Sequence, residues 1–256
     1  MITKFMPFSL ELTRKANTDI VNAIFGADGT NMRIDLTEVT WIVDTYEPKA
    51  ELSLALDKRF EKGPISVNFL TRDISSVTSA QAVTRISETK FTNPRYVFVA
   101  CKGTTGEANQ QVVNANYSLW RHANIQEVRV SLDNKWYPDK AYNTDFSKNC
   151  YSHFYDTFAN ICEIFSGSCG VTPKEFKELY TIYCIDLNDQ KDGLPNSITN
   201  MAIEITRRNV PANNTNANTA MGGINGINPQ HLEIFYLVLD ERHYLLDCIR
   251  KTCIKI

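Results

Sequence analysis

Apolar and polar residues alternate with a period of two in segment after segment of this chain. Successive side chains of a strand point to opposite faces, so such segments read as half-buried β-strands. Leu10 and Leu12 alternate with Glu11 and Thr13. Met32, Ile34 and Leu36 alternate with Arg33 and Asp35; then the phase slips, and Val39, Trp41 and Val43 continue opposite Thr40 and Ile42. A one-residue slip predicts a β-bulge or a turn. Val67 and Phe69 form a further pair, and Val83, Arg85 and Ile86 a less regular set. Tyr96-Val-Phe-Val-Ala-Cys101 is continuously apolar, as for a strand covered on both faces. Ile125, Val128, Val130 and Leu132 follow, then Tyr180 to Leu187, Met201 to Thr206, Leu232 to Leu239, and Tyr244 to Ile249. Eight to ten strands separated by turn-rich loops predict a sandwich or a barrel.

Three segments break the alternation. Thr18 to Phe25 reads as a short helix closed by Gly26. Lys148 to Phe165 places Tyr151, Phe154, Tyr155, Phe158, Ile161, Cys162 and Phe165 on one stripe of a 3.6-residue helix, with Asp145 or Ser147 able to cap its start. Thr172-Pro173-Lys174-Glu175 has the pattern of a capping box with proline at the first helical position, and it predicts core contacts for Phe176, Leu179 and Tyr180. Asn209 to Asn228 is rich in asparagine, glycine and threonine and reads as a long flexible loop. Repeats and inter-domain linkers are absent, so residues 1–256 are expected to form one domain, with a helical insertion at about 145–180 and the flexible loop at about 209–228.

Charge and cysteine usage narrow the setting. A net charge of −2 gives no global field toward nucleic acid or membrane, and Arg207-Arg208 reads as a solvated strand end. The seven cysteines form no C-x-x-C pair, and Cys101 and Cys184 sit in apolar strands where a thiol acts as a small hydrophobe. A reducing compartment is therefore expected. The N-terminal residues lack the apolar run of a signal peptide, and no stretch approaches the roughly 18 apolar residues of a membrane span. The sequons at Asn116 and Asn213 are accordingly read as chance matches.

Residues arranged for chemistry are hard to find. His122, His153, His231 and His243 have no partner at metal-motif spacing, so each is assigned a loop or surface role. Ser166-Gly167-Ser168-Cys169-Gly170 superficially resembles a nucleophile elbow, but its glycines more simply end one helix and turn into the next. Gly222-Gly223-Ile-Asn-Gly226 neither follows a strand nor opens a helix, as a phosphate loop would. Asp186 and Glu204 are carboxylates on strands with no evident partner. No catalytic, cofactor-binding or metal residue is assigned, and no cofactor or enzyme activity is expected. Trp120, Trp136, Tyr137 and Tyr142 fit two roles: sealing the junction of sheet and helices, or stacking on sugars.

The order of segments resembles the C-terminal jelly roll of the double-jelly-roll major capsid proteins of Polinton (Maverick) elements and adintoviruses. S-L-E-L-T-R-K-A at 9–16, I-D-L-T-E-V-T-W-I-V at 34–43, N-P-R-Y-V-F-V-A at 93–100, I-Q-E-V-R-V-S-L-D-N-K-W-Y-P at 125–138 and T-P-K-E-F-K-E-L-Y-T-I-Y-C-I-D-L at 172–187 carry the likeness. The resemblance implies an all-β, single jelly-roll β-sandwich with two or three short helices inserted in loops. It also implies a capsid-type structural protein that self-assembles into a trimer or hexamer-like capsomer with copies of itself or other capsid proteins, without specific nucleic acid. The family carries two rolls and this chain has room for one, which implies a shortened or domesticated copy. The expected location is the virion, or the cytoplasm or nucleus for a host copy. The alternative is a carbohydrate-binding or other recognition module on the same scaffold.

Overall fold

A computed structural model describes residues 37–40, 42, 49–104, 120–188, 200–208, 231–247 and 252–255. The expected strands at 10–12 and 32–36, the helix at 18–25, the loop at 209–228, both sequons and Gly222 to Gly226 lie outside these residues. The chain divides into two compact units: Met1–Val21, Thr30–Leu70 and Glu241–Ile256 in the first, Asn22–Gly29 and Thr71–Asp240 in the second.

The described elements are α1 (Ala50–Glu61), β1 (Ile65–Ser79), β2 (Val83–Glu88), β3 (Pro94–Thr104), β4 (Ile125–Leu132), β5 (Lys135–Tyr137), a 3₁₀ turn (Phe146–Lys148), α2 (Ser152–Ser166), α3 (Pro173–Glu178), β6 (Ile182–Asp186), β7 (Met201–Arg207), β8 (His231–Asp247) and β9 (Thr252–Lys255). Of the strand expected to continue through Val39, Trp41 and Val43, residues 37–40 and 42 carry no regular structure and Val39 and Ile42 are exposed, while Trp41 and Val43 lie outside the described residues.

In the first unit, Phe69 of β1 stacks on Tyr244 of β8 with ring centroids 5.1 Å apart. His243 Nδ1 lies 2.8 Å from Asn68 Oδ1, and β9 pairs antiparallel with the end of β8. Helix α1 was not anticipated. Leu52, Leu54 and Leu56 alternate as in a strand, yet Ala, Glu, Leu, Lys and Arg, all strong helix formers, dominate the segment. It buries no residue.

The second unit holds the roll. One sheet has the order β1-β8-β3-β6 and the other β2-β7-β4-β5. Strands 1 and 8, 2 and 7, 3 and 6, and 4 and 5 are neighbours, and successive pairs alternate between the sheets. That is one antiparallel ribbon wrapped around a core, the jelly-roll topology. Val97, Val99, Tyr183, Ile234 and Tyr236 from the first sheet share that core with Val128, Val130, Ile203 and Ile205 from the second. Each such side chain contributes about 1.5–3 kcal/mol when withdrawn from water.

Two strands depart from expectation for local reasons. The stretch 125–138 is a hairpin, because Asp133 (φ 45°) and Asn134 (φ 70°) form a two-residue turn between β4 and β5. Positive φ at both positions is the type I′ geometry, which short polar residues tolerate. The segment 232–239 and the described part of the segment expected at 244–249 are joined in one strand, β8, of 17 residues. Asp240-Glu-Arg-His243 lacks glycine and proline and stays extended. The buried Asp240 carboxylate instead anchors the loop before β3, accepting hydrogen bonds from the N–H groups of Thr92 (3.1 Å) and Asn93 (2.7 Å).

Candidate functional site

In a roll of this topology the connections β3–β4, β5–β6 and β7–β8 leave at the same end, and that end carries the helical insertion. Thr172 accepts a hydrogen bond from the N–H of Glu175 while the Glu175 carboxylate accepts one from the N–H of Thr172, the expected capping box. These contacts hold the Glu175 carboxyl below its usual value. Helix α2 buries Phe154, Phe158 and Ile161 of the expected stripe and closes on Gly167 at φ 77°. Asp145 caps the 3₁₀ turn rather than α2: its carboxylate accepts from the Ser147 N–H at 3.1 Å and hydroxyl at 2.6 Å. Those bonds hold its pKa down. Phe176 is fully buried, but Tyr180 is 39% exposed, because its backbone forms a bridge to Trp120 at the end of α3 instead of continuing the core face.

Beneath the insertion sits a polar hub that the sequence did not reveal. His122, Ala123, Asn124 and Ile125 form a tight turn into β4, with positive φ at Ala123 (49°) and Asn124 (52°) and a 2.9 Å bond from the Ile125 N–H to the His122 carbonyl. Tyr183, fully buried on β6, donates its hydroxyl to the same carbonyl at 2.6 Å. The His122 ring stacks on Phe146 at 4.2 Å, and its Nδ1 accepts from the Asn124 N–H at 3.0 Å. His122 is thus buried, not the loop or surface residue expected, and burial pulls its pKa down to about 4. Arg207 is buried as well, and its pKa falls to about 10 for the same reason. The expected solvated strand end fails because Arg207 falls in the same alternation phase as buried Ile203 and Ile205 and so turns inward, toward Cys101 of β3. Arg208 reaches Asn143 Oδ1 at 2.6 Å and lies 3.8 Å from Asp145.

The outer faces of the two sheets differ. On the β1-β8-β3-β6 sheet, alternation turns half-buried Tyr96, Phe98 and Ala100 of β3 away from the core, level with buried Leu239 and half-buried Leu237 and Phe235 of β8. Ile74 of β1 and the adjoining Ile164 and Phe165 of α2 are exposed, and Phe165 meets Tyr96 edge-on at 5.4 Å. At the rim, Trp120 packs on Phe235 at 5.5 Å with Lys102 Nζ 4.2 Å above its ring. On the other sheet, Arg85, Glu204 and Arg129 lie abreast across β2, β7 and β4. Trp136 of β5 lies beneath both guanidiniums, at 5.9 Å and 4.6 Å, and Arg129 Nε is 3.2 Å from Glu127. The sugar-stacking alternative needs Trp120 and Trp136 together; Trp120 packs on Phe235 of one sheet, and Trp136 belongs to the other.

A cleft of about 520 Å³ opens beside β6, lined by Lys135, Tyr137, Asp139, Tyr142, His153 and Asp186 among others. It unites Tyr137, which is buried, with Tyr142, which stacks on His153 at 3.5 Å, so these two aromatics do seal sheet against helix. Cys184 also lines it, and burial raises that thiol far above its ordinary value. Asp186 is occupied by Asn188, whose backbone N–H it accepts at 2.8 Å. The Cys169 thiol donates to the Val171 carbonyl at 3.5 Å. Among the described residues no group of three or more His, Cys, Asp or Glu is placed to hold a metal, and no helix is long and apolar enough to cross a membrane.

A double jelly roll-like domain family model matches residues 7–221. The chain belongs to that family. Solved structures with a similar fold include the Sputnik virophage by cryo-EM, at 9% identity and a TM-score of 0.45, covering 76% of this chain and 39% of that one. The mavirus major capsid protein matches at 12% identity and a TM-score of 0.37, over 77% of this chain and 42% of that one. A PBCV-1 virus capsid chain matches at 11% identity and a TM-score of 0.34, over 74% and 52%. The double jelly roll-like chain thus spans roughly half or less of the length of each. No curated protein matches its sequence.

Proposed function

We propose that this double jelly roll-like chain is a structural subunit of the viral capsid type, which assembles with copies of itself through the outer face of the β1-β8-β3-β6 sheet. The observation that carries the proposal is the exposure of Ile74, Ile164 and Phe165 beside the apolar residues of that face, in a member of this family. Exposed apolar surface on a folded subunit is costly in water and marks interaction sites. The segments at 93–100, 125–138 and 172–187 support the finer kinship with Polinton and adintovirus capsid proteins. Under that reading residues 1–256 act as one jelly-roll domain, the oligomer is a trimer or hexamer-like capsomer, and the protein resides in the virion or, for a domesticated copy, inside the host cell. Light scattering and electron microscopy of the purified chain test it. Closed oligomers or shells are expected; a strict monomer at high concentration would overturn the proposal.

A further inference from the structure

Three features have no role so far: the cleft beside β6, the tight turn at Ala123 and Asn124, and helix α1. The cleft carries cationic and anionic side chains with no chemistry that selects one ligand. The turn is fully explained by the hub it belongs to. Helix α1 carries more.

Helix α1 is weak by itself. It has 12 residues, no side-chain hydrogen bond at its N-cap Lys49, and no buried residue. An isolated helix shorter than about 12–15 residues is marginal in water. Its own charges oppose it: Lys58 and Lys62 stand four residues apart, and so do Asp57 and Glu61. Like charges at that spacing destabilise a helix. Ser53, Leu56, Asp57 and Phe60 form one half-buried stripe at i, i+3, i+4 and i+7. The opposite face carries Glu51, Leu52, Ala55, Lys58, Arg59 and Lys62, all exposed, with Leu52 at 56%. Among the described residues, Glu51, Lys58, Arg59 and Lys62 meet no opposite charge.

The charges of this outer face are ordered, acidic before Ala55 and basic after it. A second copy of the helix, turned end for end about Ala55, sets its Lys58 and Arg59 opposite Glu51, and its Glu51 opposite Lys58 and Arg59. The small Ala55 at the crossing lets the two backbones approach, and Leu52 flanks it. A parallel pair would set like charges together. We propose that the outer face of α1 pairs antiparallel with the same face of a second copy, about a two-fold axis at Ala55. The partner is a second copy because the face is complementary to itself, which is what an isologous contact requires. Two helices of this length cover less than the roughly 800 Å² per partner of a standard interface, so the pair is brief alone and adds to larger contacts. It shares no residue with the outer face of the β1-β8-β3-β6 sheet and does not depend on it.

The test mixes isotope-labelled and unlabelled full chains in equal amounts at high concentration and joins adjacent carboxylates and amines with a water-soluble carbodiimide. Glu51 and Lys58 of one helix are separated by about 10 Å along its axis, too far for a zero-length bond. Mixed-isotope peptides joining Glu51 to Lys58 or Lys62 are therefore expected from the wild type, and equally from Ile74→Lys with Ile164→Lys, where the sheet face is disabled. Ala55→Glu keeps both reactive groups but sets two carboxylates against each other on the axis, and it should cut the yield by about tenfold or more. Glu51→Lys combined with Lys58→Glu and Arg59→Glu exchanges the charges and should restore the mixed-isotope link through the exchanged groups. Absence of the mixed-isotope peptides from the wild type, or an equal yield from Ala55→Glu, would overturn the proposal.

Discussion

The two sheets of the roll share one core and present different outer surfaces. One turns Phe98, Leu237 and Phe235 outward and leaves Ile74 bare at its edge; the other turns out Arg85, Glu204 and Arg129 around a clamped Trp136. A strand offers the same backbone to both faces, so the difference lies entirely in the alternate residues. On the charged face Arg85 and Arg129 meet the Trp136 ring, and Arg129 also meets Glu127, all within the subunit. On the apolar face Tyr96 and Phe98 are half-buried and pack inside the subunit, while Ile74, Ile164 and Phe165 stay exposed among the described residues. The comparison teaches where a second molecule would relieve a cost.

The sharpest way to break this contrast is to charge each face in turn. Ile74→Lys with Ile164→Lys should abolish assembly in light scattering while the chain stays folded by circular dichroism. Each lysine costs an interface about 2 kcal/mol when desolvated, and together roughly a thousandfold in association. Arg85→Ala on the other sheet should leave particle size unchanged. Equal losses from both would mean that the faces are not distinct.

Legibility in the sequence followed the same division. Alternation revealed the strands, and the stripe from Phe154 to Ile161 revealed α2, because in both the signal is the spacing of apolar residues that end up buried. The capping box at Thr172 was legible for a different reason: its hydrogen bonds close within four residues. What sequence hid were features whose cause lies far along the chain. His122 is buried only because Tyr183 and Phe146, distant in sequence, meet it. Arg207 looked solvated because a charged residue at a strand end usually is, although its phase with Ile203 and Ile205 turns it inward. Asp133-Asn134 was a local turn signal, and counting Asp-Asn among hairpin turns would have found β5. Helix α1 has no buried face, so the periodicity that exposes a packed helix was never there. The outer faces were readable as residue types but not as faces until the register of β3 against β8 was fixed.

A second test concerns the interior that the sheets share. The His122 imidazole stays neutral in the fold, with its pKa lowered from 6.5 to about 4 by burial. Between those values the unfolded chain binds a proton that the folded chain refuses. Stability is therefore full above about pH 6.5 and lost as pH falls toward 4, by about 3 kcal/mol if the whole gap counts. Urea unfolding at pH 7 and pH 4.5 should show that loss, and His122→Asn, which keeps an acceptor for the Asn124 N–H, should flatten it. His153 is also held low by burial and adds in the same direction, so the difference between wild type and variant is the quantity to read. Asp145, with a lowered pKa, loses its contribution only as pH falls below its ordinary 3.8, outside this window. An identical slope in His122→Asn would remove the histidine from the hub's acid response.

The smallest effect sharpens the comparison most, because it separates stability from assembly. Trp136 has Arg129 at 4.6 Å and Arg85 at 5.9 Å over its ring. Each cation–π contact is worth about 0.5–1 kcal/mol at a partly exposed site, so Trp136→Ala should lower the unfolding free energy by about 1–2 kcal/mol in urea. The charged residues left behind remain solvated and can still meet Glu204 and Glu127, so no new apolar surface appears. Particle size should not change. If assembly weakens along with stability, the clamped tryptophan is part of an interface and the charged face is not self-sufficient. If stability falls alone, the ladder serves only its own subunit, and the apolar sheet is left as the face that needs a partner.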